Sequence, residues 1–144
     1  MTNKEIVFAF IKAINDHDVD KIYDLMPDDH IFIDGSGGKH VGKIDMKKGW
    51  QDYYQMFPDY SVEITDVIES DSIIGLFGYA SGTYKINYDK TNGNFWKTTA
   101  AWKAIIENQK IKLWQVYCDY TSLMEIIKKA NLTNSTGGPL RVMR

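Results

Sequence analysis

The spacing of hydrophobic residues near the N-terminus predicts two helices. Apolar side chains recur at helical spacing between Ile6 and Ile14, which gives this segment one buried face. Thr2 and Glu5 have the spacing of a capping box, in which each side chain binds the backbone N–H of the other residue. Asp18 is placed to cap a second, shorter helix. The chain is therefore expected to open with a helical pair.

A change to a two-residue period marks the first predicted strand. His30, Phe32 and Asp34 share one side of it, and the isoleucines between them point to the other. The Gly-Ser-Gly-Gly sequence at 35–38 predicts a turn. A third helix is predicted from about Ile44 to Phe57, because its aromatic residues fall on neighbouring helical positions and a proline follows.

Alternating apolar and polar residues predict consecutive antiparallel strands in the rest of the chain. The predicted strands are Val62–Ile68, Ile73–Tyr84, Phe95–Glu107 and Lys110–Tyr120. Glycines in the second of these predict bulges or bends, and the segment 88–93 with its Asn-Gly pair predicts a hairpin loop. The later strands are partly apolar on both faces, and both must be covered. Because the helices can cover only one, the outer face predicts a homodimer.

Composition narrows the classes of partner and compartment. The net charge of −2, without a stripe of Lys and Arg, argues against nucleic acid. No apolar run is long enough to span a membrane, and the N-terminus lacks the pattern of a signal peptide. A cytoplasmic, soluble protein is expected. The lone Cys118 excludes an internal disulfide, and no His spacing fits a metal site, so neither metal nor cofactor is predicted.

Three short motifs stand out among the predicted elements: Phe57-Pro58-Asp59, Gly82-Thr83-Tyr84, and a closing strand with Lys110, Ile111, Trp114 and Asp119. With these motifs, the order of predicted elements resembles the nuclear transport factor 2 superfamily, and within it the SnoaL-like polyketide cyclases. The resemblance implies an α+β, cystatin-like cone in which a curved antiparallel β-sheet is wrapped by three to four helices around a pocket. The chain length predicts one domain, which we place at residues 1–130. The Gly137-Gly138-Pro139 sequence predicts a flexible or partner-ordered C-terminal tail at 131–144.

The front half also resembles bacterial ketosteroid isomerases, which belong to the same superfamily. Three short segments between residues 10 and 29 align without a gap, and on that register Asp34 falls on the catalytic base. One oxyanion donor of those enzymes is replaced by Phe10, which cannot donate a hydrogen bond, and the other falls near Trp102. Loss of one such donor typically lowers the rate ~10²–10³-fold. The resemblance therefore implies a pocket but argues against steroid isomerisation by that mechanism.

Asp34 is the first candidate for chemistry. In the fold implied by the resemblance it opens toward Trp50 and Tyr54. A carboxylate among aromatic rings has its charged form desolvated, which raises its pKa toward values useful to a general base. The alternative is that Asp34 hydrogen-bonds the backbone of its own glycine-rich turn. The residues leave both interpretations open.

Asp119 is the second candidate, because the resemblance implies a proton-abstracting acid on a late strand. Its alternative role is a cap for the helical segment 121–129. The predicted substrate pocket is lined by Trp50, Tyr54, Phe57, Trp102, Trp114, His30 and His40. Each ring taken alone could equally be core, but together they are numerous enough to wall a cavity.

Two functions follow from these observations. One is an isomerase or cyclase that binds a small hydrophobic carbonyl compound and uses Asp34 as a general base. The other is a non-catalytic dimeric module of the same fold that binds a hydrophobic ligand or a protein. Retention of Asp34 favours the enzyme, and loss of the oxyanion donors favours the binding module.

Overall fold

A computed structural model describes residues 1–85 and 93–132 of the 144-residue chain. The described part is an α+β fold in which four helices pack on a six-stranded sheet. The elements in chain order are α1 Asn3–Asn15, α2 Val19–Asp24, β1 Ile31–Ile33, β2 Lys39–Val41, α3 Lys43–Met56, β3 Ser61–Ser70, β4 Ile73–Thr83, β5 Phe95–Glu107, β6 Lys110–Cys118 and α4 Thr121–Leu132.

The strands follow the order β2-β1-β6-β5-β4-β3. The long strands β3 to β6 form an antiparallel meander, as the alternation predicts. The sheet is not entirely antiparallel, however, because β1 lies parallel to β6, with Phe32 opposite Trp114. The register between β3 and β4 shifts between Ile64 and Asp66, opposite Gly78. This shift is one of the bends that the glycines of β4 predict.

The predicted helix starts are confirmed for the first two helices. Thr2 and Glu5 form both bonds of the capping box at the start of α1. The Asp18 side chain accepts a hydrogen bond from the Lys21 backbone at the start of α2. Asn15, at the end of α1, then joins the helices to the sheet, because its amide donates to the Val62 carbonyl and accepts from the Val62 N–H.

The core lies between the helices and the inner face of the sheet. On β5 this face carries Trp96, Trp102 and Ala104, all of which are buried. The opposite, outer face is much more exposed and still apolar. Phe77, Ala101 and Tyr117 lie side by side on β4, β5 and β6, and the two rings are 41% and 49% exposed.

Two parts of the chain differ from the sequence prediction or lie outside the description. The residues after the glycine-rich turn form β2, which the alternation did not predict because the strand has only three residues. Helix α4 runs to Leu132 and so includes the first two residues of the predicted tail. The predicted Asn-Gly loop, except Gly93, and the tail from residue 133 onward lie outside the described residues.

Candidate functional site

Asp34 is the first residue of the turn that joins β1 to β2, and its carboxylate is almost completely enclosed. Its side chain is 4% exposed. Oδ1 accepts hydrogen bonds from the Ser36 backbone N–H at 3.0 Å, the Ser36 hydroxyl at 2.6 Å and the Gly38 N–H at 2.9 Å. A Cβ on Gly38 would lie 2.6 Å from Oδ2 of Asp34, so the carboxylate could not keep this position beside any larger residue. The turn is built around the carboxylate.

The second carboxylate oxygen pairs with a histidine. Oδ2 of Asp34 lies 3.0 Å from Nε2 of His40, which is on β2. The hairpin register explains this pair, because His40 lies opposite Phe32 and therefore on the same side of the hairpin as Asp34. The imidazole also packs near Phe32, with ring centroids 5.7 Å apart. Its side chain is 34% exposed, so His40 is reachable while Asp34 is not.

The predicted rise in the pKa of Asp34 is wrong. Burial does act to raise the pKa of this carboxyl, but the hydrogen bonds from Ser36, His40 and Gly38 outweigh it and lower the pKa below its ordinary value of 3.8. Hydrogen bonds to the charged form favour that form. Asp34 is therefore a stably ionised carboxylate and not a carboxyl poised near neutral pH.

The interior next to this hairpin is filled by rings. Phe10 packs edge-on against Trp114, with centroids 5.0 Å apart, and Trp114 stacks with Trp102 at 6.4 Å. The positions that correspond to the isomerase oxyanion donors thus meet in an apolar cluster. His30 lies beside Phe10, is 1% exposed and has its Nδ1 2.6 Å from the Ile111 carbonyl oxygen. Burial lowers the pKa of His30 to about 4, so this ring is a neutral core residue.

A second group of rings joins α3 to the far end of the sheet. We call it the ring cluster: Tyr53, Phe57, Tyr60, Tyr84 and Trp96. Neighbouring ring centroids within it are 4.9 to 6.2 Å apart. These separations are typical of packed aromatic pairs. Of the predicted pocket residues, Phe57 belongs to this cluster and Trp50 borders it through Tyr53.

Two predicted site residues have structural contacts. Tyr54 stacks on His17 with centroids 3.9 Å apart and donates its hydroxyl to the Ile14 carbonyl. Asp119 is exposed, and its Oδ1 accepts from both the N–H and the hydroxyl of Thr121. These are the contacts expected of a residue that caps α4, the alternative role considered above.

The Phe-Pro-Asp step on which the resemblance rests has a structural explanation. Asp59 accepts hydrogen bonds from the backbone N–H and the hydroxyl of Thr83, each at 2.6 Å. The Phe-Pro-Asp step therefore binds the Gly-Thr-Tyr motif directly. These two hydrogen bonds fix the end of α3 against the end of β4. This contact positions Phe57 in the ring cluster.

Sequence reasoning predicted the bonds between Asp34 and its own turn as one alternative, but it missed the pairing of Asp34 with His40 and most of the ring cluster. The tight Gly-Ser-Gly-Gly turn was the available signal, because an antiparallel return through it places residues 34 and 40 on one side of the hairpin. Tyr120 was also missed. Its ring lies so close to Gly35 that a Cβ there would be 2.1 Å from Cε2. Tyr120 thereby connects the β1–β2 hairpin with the nearby phenols of Tyr53 and Tyr60.

Within residues 1–85 and 93–132, no group of three or more His, Cys, Asp or Glu side chains is arranged to hold a metal ion. In the same part of the chain, no helix combines the length and the apolar character needed to cross a bilayer.

Comparisons with known proteins identify the fold independently. A solved structure from Shewanella denitrificans OS-217, provisionally assigned as a SnoaL-like polyketide cyclase, superposes with a TM-score of 0.75 at 12% identity, over 88% of this chain and 97% of that one. IdmH from Streptomyces antibioticus, also provisionally assigned as a polyketide cyclase, gives 0.74 at 15% identity, over 89% and 99%. A protein with a ketosteroid isomerase-like fold from Catenulispora acidiphila DSM 44928, solved with trimethylamine, gives 0.74 at 18% identity, over 86% and 92%.

No curated protein sequence matches the chain. The model of the SnoaL-like domain matches residues 7–114, which is three quarters of the sequence. The structural likenesses, all below 25% identity, establish the fold and not an activity. The chain belongs to the SnoaL-like domain family.

Proposed function

We propose that the protein is an isomerase or cyclase that moves a proton next to the carbonyl group of a small hydrophobic compound, with Asp34 and His40 acting as a pair. The observation that supports this most directly is the 3.0 Å contact between Asp34 Oδ2 and His40 Nε2. A carboxylate bonded only to its own turn would have favoured a binding module. Here its second oxygen binds a partly exposed histidine on another strand.

In this proposal the two residues have different roles. Since a carboxylate only accepts, Nε2 of His40 carries the proton of this bond, and Nδ1 is left with a lone pair. Nδ1 takes a proton from the carbon next to the substrate carbonyl, the C–H electron pair enters the enolate, and return of the proton to another carbon completes an isomerisation. Asp34 holds the tautomer and stabilises the imidazolium that forms. Asp34 thus serves proton transfer as the charged partner of the base, which differs from the direct role expected from the sequence.

Hydrogen–deuterium exchange tests this without knowledge of the natural substrate. The full chain is incubated with 1-tetralone in D₂O, and loss of the proton signal next to the carbonyl is followed by NMR. His40→Gln is expected to lower the protein-dependent exchange rate at least ~100-fold, because general base catalysis typically contributes ~10²–10⁴. Asp34→Asn should also lower it. Lys39→Gln, an exposed neighbour on β2, is the matched control and should leave the rate unchanged.

The result decides the proposal. Exchange that is no faster with the protein than without it, or that survives His40→Gln unchanged, contradicts catalysis by this pair. Binding of 1-tetralone without exchange would point instead to the ligand-binding module.

A second copy of the chain is the proposed partner of the outer face. Phe77, Tyr79, Phe95 and Tyr117 on this face are 37% to 49% exposed, and large apolar patches of this kind mark interaction surfaces. A two-fold dimer buries the same patch on both copies. This assembly belongs equally to the catalytic and the non-catalytic function.

Sedimentation or light scattering measures the assembly. Phe77→Lys combined with Tyr117→Lys is expected to give a monomer, since both copies would bring charges to the same contact. Ile44→Lys, at a 75% exposed position on α3, is the control and should remain dimeric. A wild-type chain that is monomeric at micromolar concentration would refute the dimer and leave the proton-transfer proposal intact.

A further inference from the structure

The indole N–H of Trp96 is a buried donor at the far end of the ring cluster. The side chain is 2% exposed, and Nε1 has no hydrogen-bond partner within the described part of the chain. A buried donor that is left unsatisfied keeps the full cost of its desolvation. Such a group is a specific position at which an incoming acceptor gains a hydrogen bond without breaking another.

The surroundings direct this donor toward a ring-bearing ligand. Phe57 meets the indole edge-on with centroids 5.6 Å apart, and Tyr60 lies at 6.2 Å. Gly82 faces the edge of the indole next to Nε1, because a Cβ there would lie 3.4 Å from Cζ2 and 3.6 Å from Cε2. Aromatic walls and one fixed donor form the usual pattern of a small-molecule site, in which apolar contacts bind and a polar group orients.

The charge of the surroundings favours a neutral acceptor. The cationic residue next to Trp96, Lys97, lies on the outer face, with its Nζ 4.9 Å from the centre of the Tyr79 ring. Within the ring cluster, the polar groups other than the indole N–H are the phenols of Tyr53, Tyr60 and Tyr84. Burial raises the pKa of Tyr120, and the nearby Tyr53 phenol raises it further, so the Tyr120 hydroxyl stays protonated. Neutral donors suit a carbonyl oxygen, whereas a carboxylate would be buried without a counter-charge.

Trp96 is too far from His40 to act on the reacting carbon. His40 is on β2 and Trp96 on β5, three strands away in the sheet. At the usual spacing between strands this is a separation of about 14 Å. An acceptor bound at Trp96 therefore belongs to a part of the ligand remote from the proton-transfer step, where it affects affinity.

We propose that Trp96 Nε1 donates a hydrogen bond to a carbonyl oxygen of a neutral, ring-bearing ligand, and so selects carbonyl compounds over hydrocarbons of the same shape. The proposal rests on the proposed function, since it specifies the substrate class of the same interior. It can fail independently of the proposed function, because donation by Trp96 is a binding contact that does not require proton transfer.

The test uses two probes that differ only in the carbonyl, 1-tetralone and tetralin. Since 1-tetralone is too short to reach Trp96 and His40 at once, it probes each of the two positions separately. In ¹⁵N-labelled full-length protein the chain's four Trp residues give separate indole signals, of which the other three are internal references. Saturating 1-tetralone is expected to shift the Trp96 N–H proton downfield, and tetralin is not. Trp96→Phe keeps an aromatic ring without the donor and should reduce the preference for 1-tetralone about threefold to tenfold, the value of one neutral hydrogen bond.

Each outcome has a definite meaning. A Trp96 signal that moves equally with both probes, or with neither, overturns the proposal, and so does an unchanged preference in Trp96→Phe. If that variant does not fold, the shift in the wild-type chain still decides. His40→Gln should retain the shift while losing deuterium exchange. Loss of exchange alone therefore bears on the proposed function, and loss of the shift alone on Trp96.

Discussion

Lowering the pH from about 7.5 to about 4.5 is expected to destabilise the fold by about 2.5 kcal/mol through His30 alone. This ring is 1% exposed, and its Nδ1–H donates to the Ile111 carbonyl at 2.6 Å. Burial lowers its pKa from 6.5 to about 4. Between these two pKa values the unfolded chain binds a proton that the folded chain does not, so the free energy of unfolding rises with pH. The contribution of His30 is fully present above pH 6.5 and is lost as the pH falls below that value.

Urea unfolding at the two pH values measures this effect, with His30→Asn as the matched variant. Asparagine can keep a donor toward the Ile111 carbonyl but does not titrate. The difference between the two chains removes the contributions of other groups. Asp34 does not interfere, because its pKa is lowered below 3.8 and it stays ionised throughout this range. Equal loss of stability in both chains would show that the His30 reasoning is wrong.

Three further predictions concern the contacts around the site. Gly38→Ala should abolish the deuterium exchange assigned to the pair, because its Cβ would lie 2.6 Å from Asp34 Oδ2, while circular dichroism still shows a folded chain. Asn15→Ala should lower the free energy of urea unfolding by about 2 kcal/mol, since it removes two hydrogen bonds to the backbone of β3. Asp59→Ala should cost about 1–3 kcal/mol by leaving Thr83 unpaired, and Thr83→Val should cost less in the same measurement because it leaves the backbone bond in place.

Most of the architecture could be predicted from the sequence because it depends on local signals. The capping box and the residue that caps α2 lie within a few positions of the backbone groups they bind. The alternation in β5 continues over its full length, and the predicted limits Phe95–Glu107 are those observed. Long periodic segments carry enough repeats for the pattern to be read.

The site could be predicted only in part, because its decisive contacts join separate segments. Asp34 was identified as a candidate, and each of its two predicted environments is observed in part: its side chain is buried, and it accepts hydrogen bonds from its own turn. What local sequence did not reveal is that the hairpin returns with His40 against the second carboxylate oxygen. That contact, together with the bonds from the turn, reverses the direction of the pKa shift.

The parallel pairing of β1 with β6 has a consequence for how the protein is made. Ile31 lies opposite Leu113, more than 80 residues later in the sequence, so the hairpin cannot pair with the rest of the sheet until β6 has left the ribosome. Closing so long a loop is entropically costly, and contacts between distant segments form slowly. The helices α1 to α3 can form early during synthesis, whereas Asp34 and His40 gain a fixed position against the sheet only after β6 has formed. In a nascent chain the hairpin that carries Asp34 and His40 therefore lacks its support from the sheet until β6 has emerged.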